Sequence, residues 1–268
     1  MHLPLLRPRM TAIRFPALAW SVNTGDRPFR AMLAGRPEIF IALPSRQKPL
    51  KRWATPLVFA ALWLCFVASA LLPDPEERRL MLDWGALSGG LATPADWWQA
   101  LRDGSPARLV SALFLHADWA HLLGNLLFLL IFGLPAERAM GSWRLLTVFL
   151  LGGAVANLAA VIAIGTPDRL IIGASGAVSA LIGAYLALFP GARLGVVVPL
   201  GLFLQFVKVP AALLIGVWAL LQLAFTFIGP AFGAVAWSAH LAGFAFGGAF
   251  ALIARAGIAR RMRHKRGY

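Results

Sequence analysis

Six long apolar runs constrain the fold of this chain of 268 residues more than any other feature. An apolar run of about 18 to 20 residues is long enough to cross a lipid bilayer as a helix. Lipid offers no water to backbone polar groups, so each crossing segment must satisfy them internally, as a helix does. The sequence therefore predicts an all-α membrane protein with six transmembrane helices, at approximately 55–72, 115–134, 143–164, 171–190, 210–228 and 235–253.

The segments between the runs differ in length. Residues 73–113 are too long for a simple connection and contain Trp84, Trp97 and Trp98, which suit a membrane interface. We expect a long outer loop here, with short helices lying in the outer leaflet. Residues 191–208 contain Pro199 and offer only about 14 apolar residues, too few to cross, so they are expected at the cytosolic interface.

The net charge of +14 lies at the two ends of the chain. Residues 1–52 carry ten Lys or Arg against two acids, and residues 255–268 carry six and no acid. This distribution predicts that both termini are cytosolic, where basic ends contact anionic lipid headgroups rather than nucleic acid. We divide the chain into a mostly disordered cytosolic arm (1–52), a membrane domain (53–254) and a basic cytosolic tail (255–268).

The second apolar run carries His116, His121 and Asn125. His121 and Asn125 are four residues apart and share one helix face, whereas His116 and His121 point about 140° away from each other. A chelating pair of histidines is therefore disfavoured, and we expect no metal and no cofactor. A structural alternative is that His121 and Asn125 only form hydrogen bonds between helices.

The fourth run opens on Gly173-Ala174-Ser175-Gly176, a hydroxyl between glycines at the start of a predicted helix. The unpaired N–H groups of a helix N-terminus favour developing negative charge. Steps of four residues from Ser175 reach Ser179 and Gly183, a small-residue stripe suited to close packing against another helix. Ser175 could also belong to that packing stripe alone.

In the sixth run, His240 is followed at three and seven residues by Gly243 and Gly247, which form a second small-residue stripe. Two such stripes allow two helices to approach closely enough for His240 to reach Ser175. The interiors of the runs are expected to hold no Asp or Glu, because Glu137 and Arg138 are placed in a polar turn after the second run. The pattern therefore favours a Ser-His dyad over a Ser-His-Asp triad.

The order His-x4-His-x3-Asn, Gly-Ala-Ser-Gly and Ala-His-x2-Gly-x3-Gly resembles that of the rhomboid intramembrane serine proteases, over residues 73–253. The resemblance implies that Ser175 is the nucleophile and His240 its base. It further implies that His116, Asn125 and the Ser175 N–H stabilise the oxyanion, and that His121 is a structural or accessory member. Ser179 stands where some members carry an aromatic ring against the catalytic histidine.

The resemblance thus implies an endopeptidase that cleaves transmembrane segments of other membrane proteins, in a bacterial cytoplasmic membrane. The alternative is a non-catalytic rhomboid-like protein that binds client helices. A solute carrier would require charged residues at midplane or paired broken helices, and the sequence shows neither pattern clearly.

Overall fold

The computed structural model describes residues 52–89, 93–164, 169–200, 203–228 and 237–266. All of them belong to one compact unit, Arg46–Tyr268. The predicted cytosolic arm lies outside the described residues except for Arg52. The short connection 165–168 between the third and fourth apolar runs lies outside them as well.

The described residues are mostly helical and include two small antiparallel sheets. The helices are α1 (Ala54–Ala70), α2 (Asp74–Trp84), α3 (Pro94–Arg102), α4 (Ser105–Ser111), α5 (Trp119–Phe128), α6 (Leu134–Met140), α7 (Ser142–Ala163), α8 (Ser175–Leu188), α9 (Ala211–Ile228), α10 (Trp237–Ile253) and α11 (Arg255–Arg266). The strands are β1 (Ala86–Leu87), β2 (Leu170–Ile171), β3 (Arg193–Leu200) and β4 (Phe203–Pro210).

Within the described ranges, three helical segments are long and apolar enough to cross a membrane: Trp119–Met140, Ser142–Ala163 and Ala211–Ile228. A fourth is possible if α10 and the first part of α11, bent by 62°, form one span. Helices α1 and α8 are equally apolar but shorter, with 17 and 14 residues. Large apolar side chains face outward on several helices, for example Leu220 at 67 % exposure, as expected of helices in contact with lipid.

The second span does not end where the sequence predicted. Helix α5 continues through a π-helical turn, Leu129–Gly133, into α6, so the predicted turn after residue 134 is helical as far as Met140. Pro135 cannot donate a backbone hydrogen bond and its ring clashes with the preceding turn of a regular α-helix. The wider turn immediately before it allows the helix to continue. The placement of Glu137 and Arg138 in a polar turn was therefore wrong.

Glu137 is 1 % exposed, and its carboxylate accepts three hydrogen bonds. The backbone N–H groups of Ala54 and Thr55 donate to it over 2.9 and 3.1 Å, and the Ser142 hydroxyl donates over 2.6 Å. The carboxylate thus satisfies unpaired donors at the start of α1 and joins α1, α6 and α7. Because Glu137 lies inside the helical second span, the expectation that the spans contain no Asp or Glu was wrong as well.

The expectation of an all-α fold was wrong for residues 193–210. Strands β3 and β4 pair as an antiparallel hairpin, with Arg193 opposite Pro210 and Leu200 opposite Phe203. The sequence favours strands here because β-branched valines are enriched, and Pro199 opposes helix formation. The hairpin joins α8 to α9 without adding a helix.

The segment between α1 and α5 contains the short helices α2, α3 and α4. A two-residue pairing fastens it to the chain before α8, with Ala86 opposite Ile171 and Leu87 opposite Leu170. The Ser88 N–H also donates to the Arg169 carbonyl over 2.9 Å. These contacts fix the backbone that leads into α8.

Helix α8 is the most enclosed of the described helices. Every residue from Gly176 to Tyr185 is buried, in contact with α7 on one side and α10 on another. Gly152 of α7 faces Ala180 so closely that an added Cβ would lie 2.5 Å from the alanine methyl. Small side chains on α7, α8 and α10 therefore allow these three helices to form a tightly packed centre.

Candidate active site

Ser175 is the first residue of α8, and the chain before it is held on several sides. Strand β2 ends at Ile171, and the Gly173 N–H donates to the Ala112 carbonyl over 2.9 Å. Gly173 has a φ of +110°, a backbone conformation that residues other than glycine rarely adopt. The backbone thus turns sharply and presents the Ser175 hydroxyl at the N-terminus of α8.

Glycines bring α10 against α8. A Cβ on Gly243 would overlap the Gly176 carbonyl, and a Cβ on Gly247 would overlap the Ala180 carbonyl. On α10, Gly243 and Gly247 therefore contact α8, as the sequence predicted. On α8 the contacting residues are Gly176, Ala180 and Gly183: Gly183 lies at the interface as predicted, but Gly176 and Ala180 take the place of the predicted Ser175 and Ser179. Ser179 instead donates to the Ser175 carbonyl over 2.7 Å.

The Ser175 Oγ lies 2.9 Å from the Nε2 of His240. This is a hydrogen-bond distance, and it joins the first residue of α8 to the first turn of α10. His240 is half-buried, and the packed α8–α10 interface lies directly beside the pair. An imidazole in this position can accept the hydroxyl proton, which is the requirement for an activated serine nucleophile.

The other ring nitrogen of His240 contacts a residue that the sequence reasoning missed. Its Nδ1 lies 2.7 Å from the Oε1 of Gln222, on α9. Gln222 is 7 % exposed, whereas most of α9 is not buried. The available signal was a lone amide in an otherwise apolar run, because polar groups in membrane segments are costly and usually have a partner.

His116 and His121 contact the two residues that precede Ser175. The His121 ring packs on Gly173, where an added Cβ would lie 2.5 Å from it. The Ala174 N–H donates to the Nε2 of His116 over 3.4 Å, and His116 is fully buried. The two rings meet edge to face with centroids 5.0 Å apart. Both histidines therefore line the backbone turn that leads into the serine.

Asn125 lies one helical turn after His121 on α5 and is 6 % exposed. Its Nδ2 is buried and has no hydrogen-bond partner among the described residues. The structure does not join Asn125 to Ser175 by a hydrogen bond. A buried amide donor without a partner is costly, which makes Asn125 a candidate to bind an oxygen atom that the free protein does not supply.

Trp237, also missed from the sequence, supplies an aromatic neighbour to His240. The two rings meet at 89° with centroids 6.2 Å apart. Trp237 lies three residues before His240 on α10, so the two side chains share a helix face. An aromatic contact to the histidine is thus present although position 179 is a serine.

Comparison with known proteins assigns the chain to a family. The family model of the Rhomboid domain matches residues 103–257, more than half of the chain and including all five candidate site residues. The chain belongs to the rhomboid family.

Relatives of this rhomboid protein occur in distant organisms. It is 33 % identical over 130 residues to "Putative rhomboid protease YdcA" of Bacillus subtilis, covering 47 % of the chain and 56 % of the relative. It is 30 % identical over 169 residues to "Rhomboid-like protease 3" of Toxoplasma gondii, covering 62 % of the chain and 56 % of the relative. "RHOMBOID-like protein 5" of Arabidopsis thaliana is 27 % identical over 158 residues, 52 % of the chain and 51 % of the relative. The matches to these three relatives span about half of each relative's length.

Proposed function

We propose that this rhomboid protein is an intramembrane serine endopeptidase that hydrolyses peptide bonds in transmembrane segments of other membrane proteins. The observation that carries the proposal is the 2.9 Å contact between Ser175 Oγ and His240 Nε2 at the start of a buried helix. Membership of a family in which several relatives are named as proteases supports it. The roles below follow from the chemistry of these groups.

In the proposed reaction, Ser175 attacks the carbonyl carbon of the substrate while His240 takes the hydroxyl proton on Nε2. A C–O bond forms and the carbonyl π electrons move to oxygen, which gives a tetrahedral oxyanion. When the intermediate collapses, the C–N bond breaks and His240 returns the proton to the departing amine. Water then hydrolyses the acyl-serine by the same proton transfers in reverse order.

The oxyanion needs hydrogen-bond donors, and we assign the Asn125 amide and the Ser175 backbone N–H to this task. The Asn125 Nδ2 is buried and has no partner in the described part of the chain, and Ser175 lies in the first turn of α8, where N–H groups have no intrahelical partner. His116 accepts a hydrogen bond from Ala174 on Nε2, so its ring N–H lies on Nδ1, which is buried without a partner among the described residues, and we assign this N–H to the oxyanion as well. We assign His121 the accessory role of supporting Gly173.

The proposal includes six membrane helices: α1, the continuous α5–α6, α7, α8, α9 and α10. At 1.5 Å per residue, α8 is only about 21 Å long, less than the roughly 30 Å hydrocarbon core. Because α7 and α10 enclose α8, its ends need not reach the lipid surface by themselves. An even number of crossings places both ends of the chain on the same side of the membrane. Because both ends are basic, that side is the cytosolic one.

We draw the remaining assignments from this topology and, for the membrane and the substrates, from the resemblance described above. Residues 53–254 form the membrane domain, flanked by the cytosolic segments 1–52 and 255–268, and the segment containing α2 to α4 lies on the outer side. The membrane is the bacterial cytoplasmic membrane, and the substrates are transmembrane proteins. A substrate helix must unwind to expose its carbonyl group, so Gly or Pro and small side chains near the cut are expected.

The test is cleavage of a model transmembrane substrate in proteoliposomes by full-length protein. Ser175→Ala and His240→Ala are each expected to lower kcat by at least about 10³-fold, and the double variant is expected to lose no more than either single variant. Ser179→Ala is the matched control, because in the described structure the hydroxyl of this buried serine on the same helix donates to the Ser175 backbone carbonyl and not to the Ser175 or His240 side chain.

Equal cleavage by wild type and Ser175→Ala would refute the proposal. A folded wild-type protein that neither cleaves nor reacts with a fluorophosphonate would instead support the non-catalytic, client-binding alternative.

A further inference from the structure

We propose that Gln222 is a positioning residue that holds His240 in the tautomer required of a general base. This inference rests on the proposed function, since it assigns a third member to the proposed Ser175–His240 dyad. The geometry that carries it is a chain of two contacts through one imidazole. Gln222 Oε1 lies 2.7 Å from Nδ1, and Ser175 Oγ lies 2.9 Å from Nε2.

A neutral imidazole has one N–H donor and one lone-pair acceptor. The Oε1 atom of an amide can only accept, so a short contact to Nδ1 places the proton on that nitrogen. The lone pair then lies on Nε2 and faces the Ser175 hydroxyl, which donates to it. The opposite tautomer would point an N–H at Ser175 and could not remove its proton. Gln222 thus performs the orienting function that a carboxylate performs in a Ser-His-Asp triad.

The amide differs from a carboxylate in having no charge. A carboxylate buried in a membrane helix is costly unless it has donors, as the carboxylate of Glu137 has. A glutamine supplies the same acceptor without that cost. It orients the resting imidazole, and it stabilises the transient imidazolium less strongly than a carboxylate would.

Aromatic contacts hold Gln222 in place between α9 and α10. Trp218, one turn before it, packs against Phe244 with centroids 5.8 Å apart. Phe225, one turn after it, stacks on Trp237 at 4.8 Å. These residues share one face of α9 with Gln222, so the two ring contacts fix the rotation of the helix about its axis. That rotation of α9 directs the Gln222 amide toward the Nδ1 atom of His240.

The test compares two substitutions of nearly the same shape in full-length protein reconstituted in proteoliposomes. Gln222→Met removes the acceptor, and Gln222→Glu keeps one. We expect Gln222→Met to lower kcat by about 10-fold, the factor that corresponds to about 1.4 kcal/mol for one net hydrogen bond, with KM within twofold of wild type. Gln222→Glu should retain kcat within about 3-fold of wild type. Leu221→Met, an adjacent and exposed change on α9, is the matched control.

The same variants are also compared by their rates of reaction with a fluorophosphonate, which reports on Ser175 without any peptide substrate. A tautomer defect should slow this reaction by a factor similar to that in kcat. If Gln222→Met does not fold, the shorter Gln222→Asn replaces it, since its acceptor should not reach Nδ1.

The outcomes separate this inference from the proposed function. Wild-type kcat and labelling in Gln222→Met would overturn the inference and leave the proposed function intact. Equal losses in Gln222→Met and Gln222→Glu, together with a lowered unfolding temperature, would also overturn it, because they indicate a structural role. If wild type labels but does not cleave, the proposed function fails and the labelling rates alone decide the role of Gln222. If wild type does neither, both proposals fail.

Discussion

Two buried polar centres in the described helices, one at Glu137 and one at Ser175 and His240, differ in how completely their groups are paired. At the first, the Glu137 carboxylate accepts hydrogen bonds from two backbone N–H groups and one hydroxyl. At the second, His240 contacts Ser175 and Gln222, and the Asn125 amide on α5 keeps a donor without a partner among the described residues. The Glu137 carboxylate thus obtains its donors from the protein itself, whereas the Asn125 amide obtains no acceptor from the described residues.

This difference indicates which centre stabilises the fold and which is available to a ligand. A buried carboxylate with three donors repays its desolvation and connects the elements that supply them. A buried donor without a partner lowers stability, and it is tolerated at sites where a ligand supplies the missing acceptor. Substitutions at the two centres should therefore affect different measured quantities.

After the Ser175 and His240 variants, the largest effect is expected from Asn125→Leu on activity. Loss of an oxyanion donor typically lowers kcat by about 10²- to 10³-fold, so we expect at least about 10²-fold here. The free energy of unfolding should stay unchanged or rise, because an apolar side chain of similar size replaces an unpaired amide. Steady-state kinetics and thermal unfolding in the same detergent measure the two quantities.

Asn157→Leu provides the matched control for Asn125. The Asn157 amide is 3 % exposed and donates to the Leu109 carbonyl over 2.8 Å, so its removal leaves that carbonyl unpaired. This variant should lose stability while keeping kcat within a few-fold of wild type. If both asparagine variants behave alike, the distinction between the two centres is lost.

At the other centre, Glu137→Gln should lower the free energy of unfolding by about 2 to 4 kcal/mol. The amide presents N–H groups where three donors require acceptors, and at least one of those donors loses its partner. The activity per folded molecule should stay within about 3-fold of wild type. Denaturation in mixed detergent gives the stability.

Glu76→Gln makes the same chemical change on the exposed surface of α2, and we expect its effect to be within about 0.5 kcal/mol. A loss of activity per folded molecule in Glu137→Gln well beyond about 3-fold would contradict the structural role of Glu137.

The sequence predicted the close approach of Ser175 and His240 better than it predicted the boundaries of the elements. The spacing of His240, Gly243 and Gly247 placed one face of α10 correctly, because a helix has a fixed period and only small residues permit close approach. The start of α8 at Ser175 followed from the glycines before it. These features are local and are visible in a single segment.

The errors arose where tertiary contacts decide the structure. The sequence predicted a turn after residue 134, but a π-helical turn accommodates Pro135, and donors on α1 and α7 stabilise the Glu137 carboxylate within the helix. The sequence did not identify Gln222 as a site residue, because its partner His240 lies on another helix, 18 residues later in the chain. A sequence pattern cannot show which polar group satisfies another across an interface.

A smaller effect is expected at the glycine interface beside Ser175 and His240. A Cβ at Gly247 would overlap the backbone carbonyl of Ala180, which cannot move independently of α8. Gly247→Ala should therefore separate α8 and α10 and lower the free energy of unfolding by about 1 to 3 kcal/mol. Because His240 lies on the same helix, kcat should also fall.

Gly248→Ala is the matched control, because its added Cβ would lie 3.7 Å from the Gly183 carbonyl oxygen, an ordinary contact. Equal stability and activity in these two alanine variants would show that the close approach of the helices is not required.

The smallest effect is expected at the start of α5, the helix that supplies Asn125. The Asp118 carboxylate caps this helix by accepting the His121 N–H over 2.8 Å. Asp118→Ala should cost about 1 kcal/mol of stability, whereas Asp118→Ser, which also caps helices well, should cost much less. If the first turn of α5 positions the accessory groups of the site, kcat should fall a few-fold in the alanine variant and recover in the serine variant. A loss of stability without that parallel change in kcat would assign the cap to the fold alone, as at the Glu137 centre.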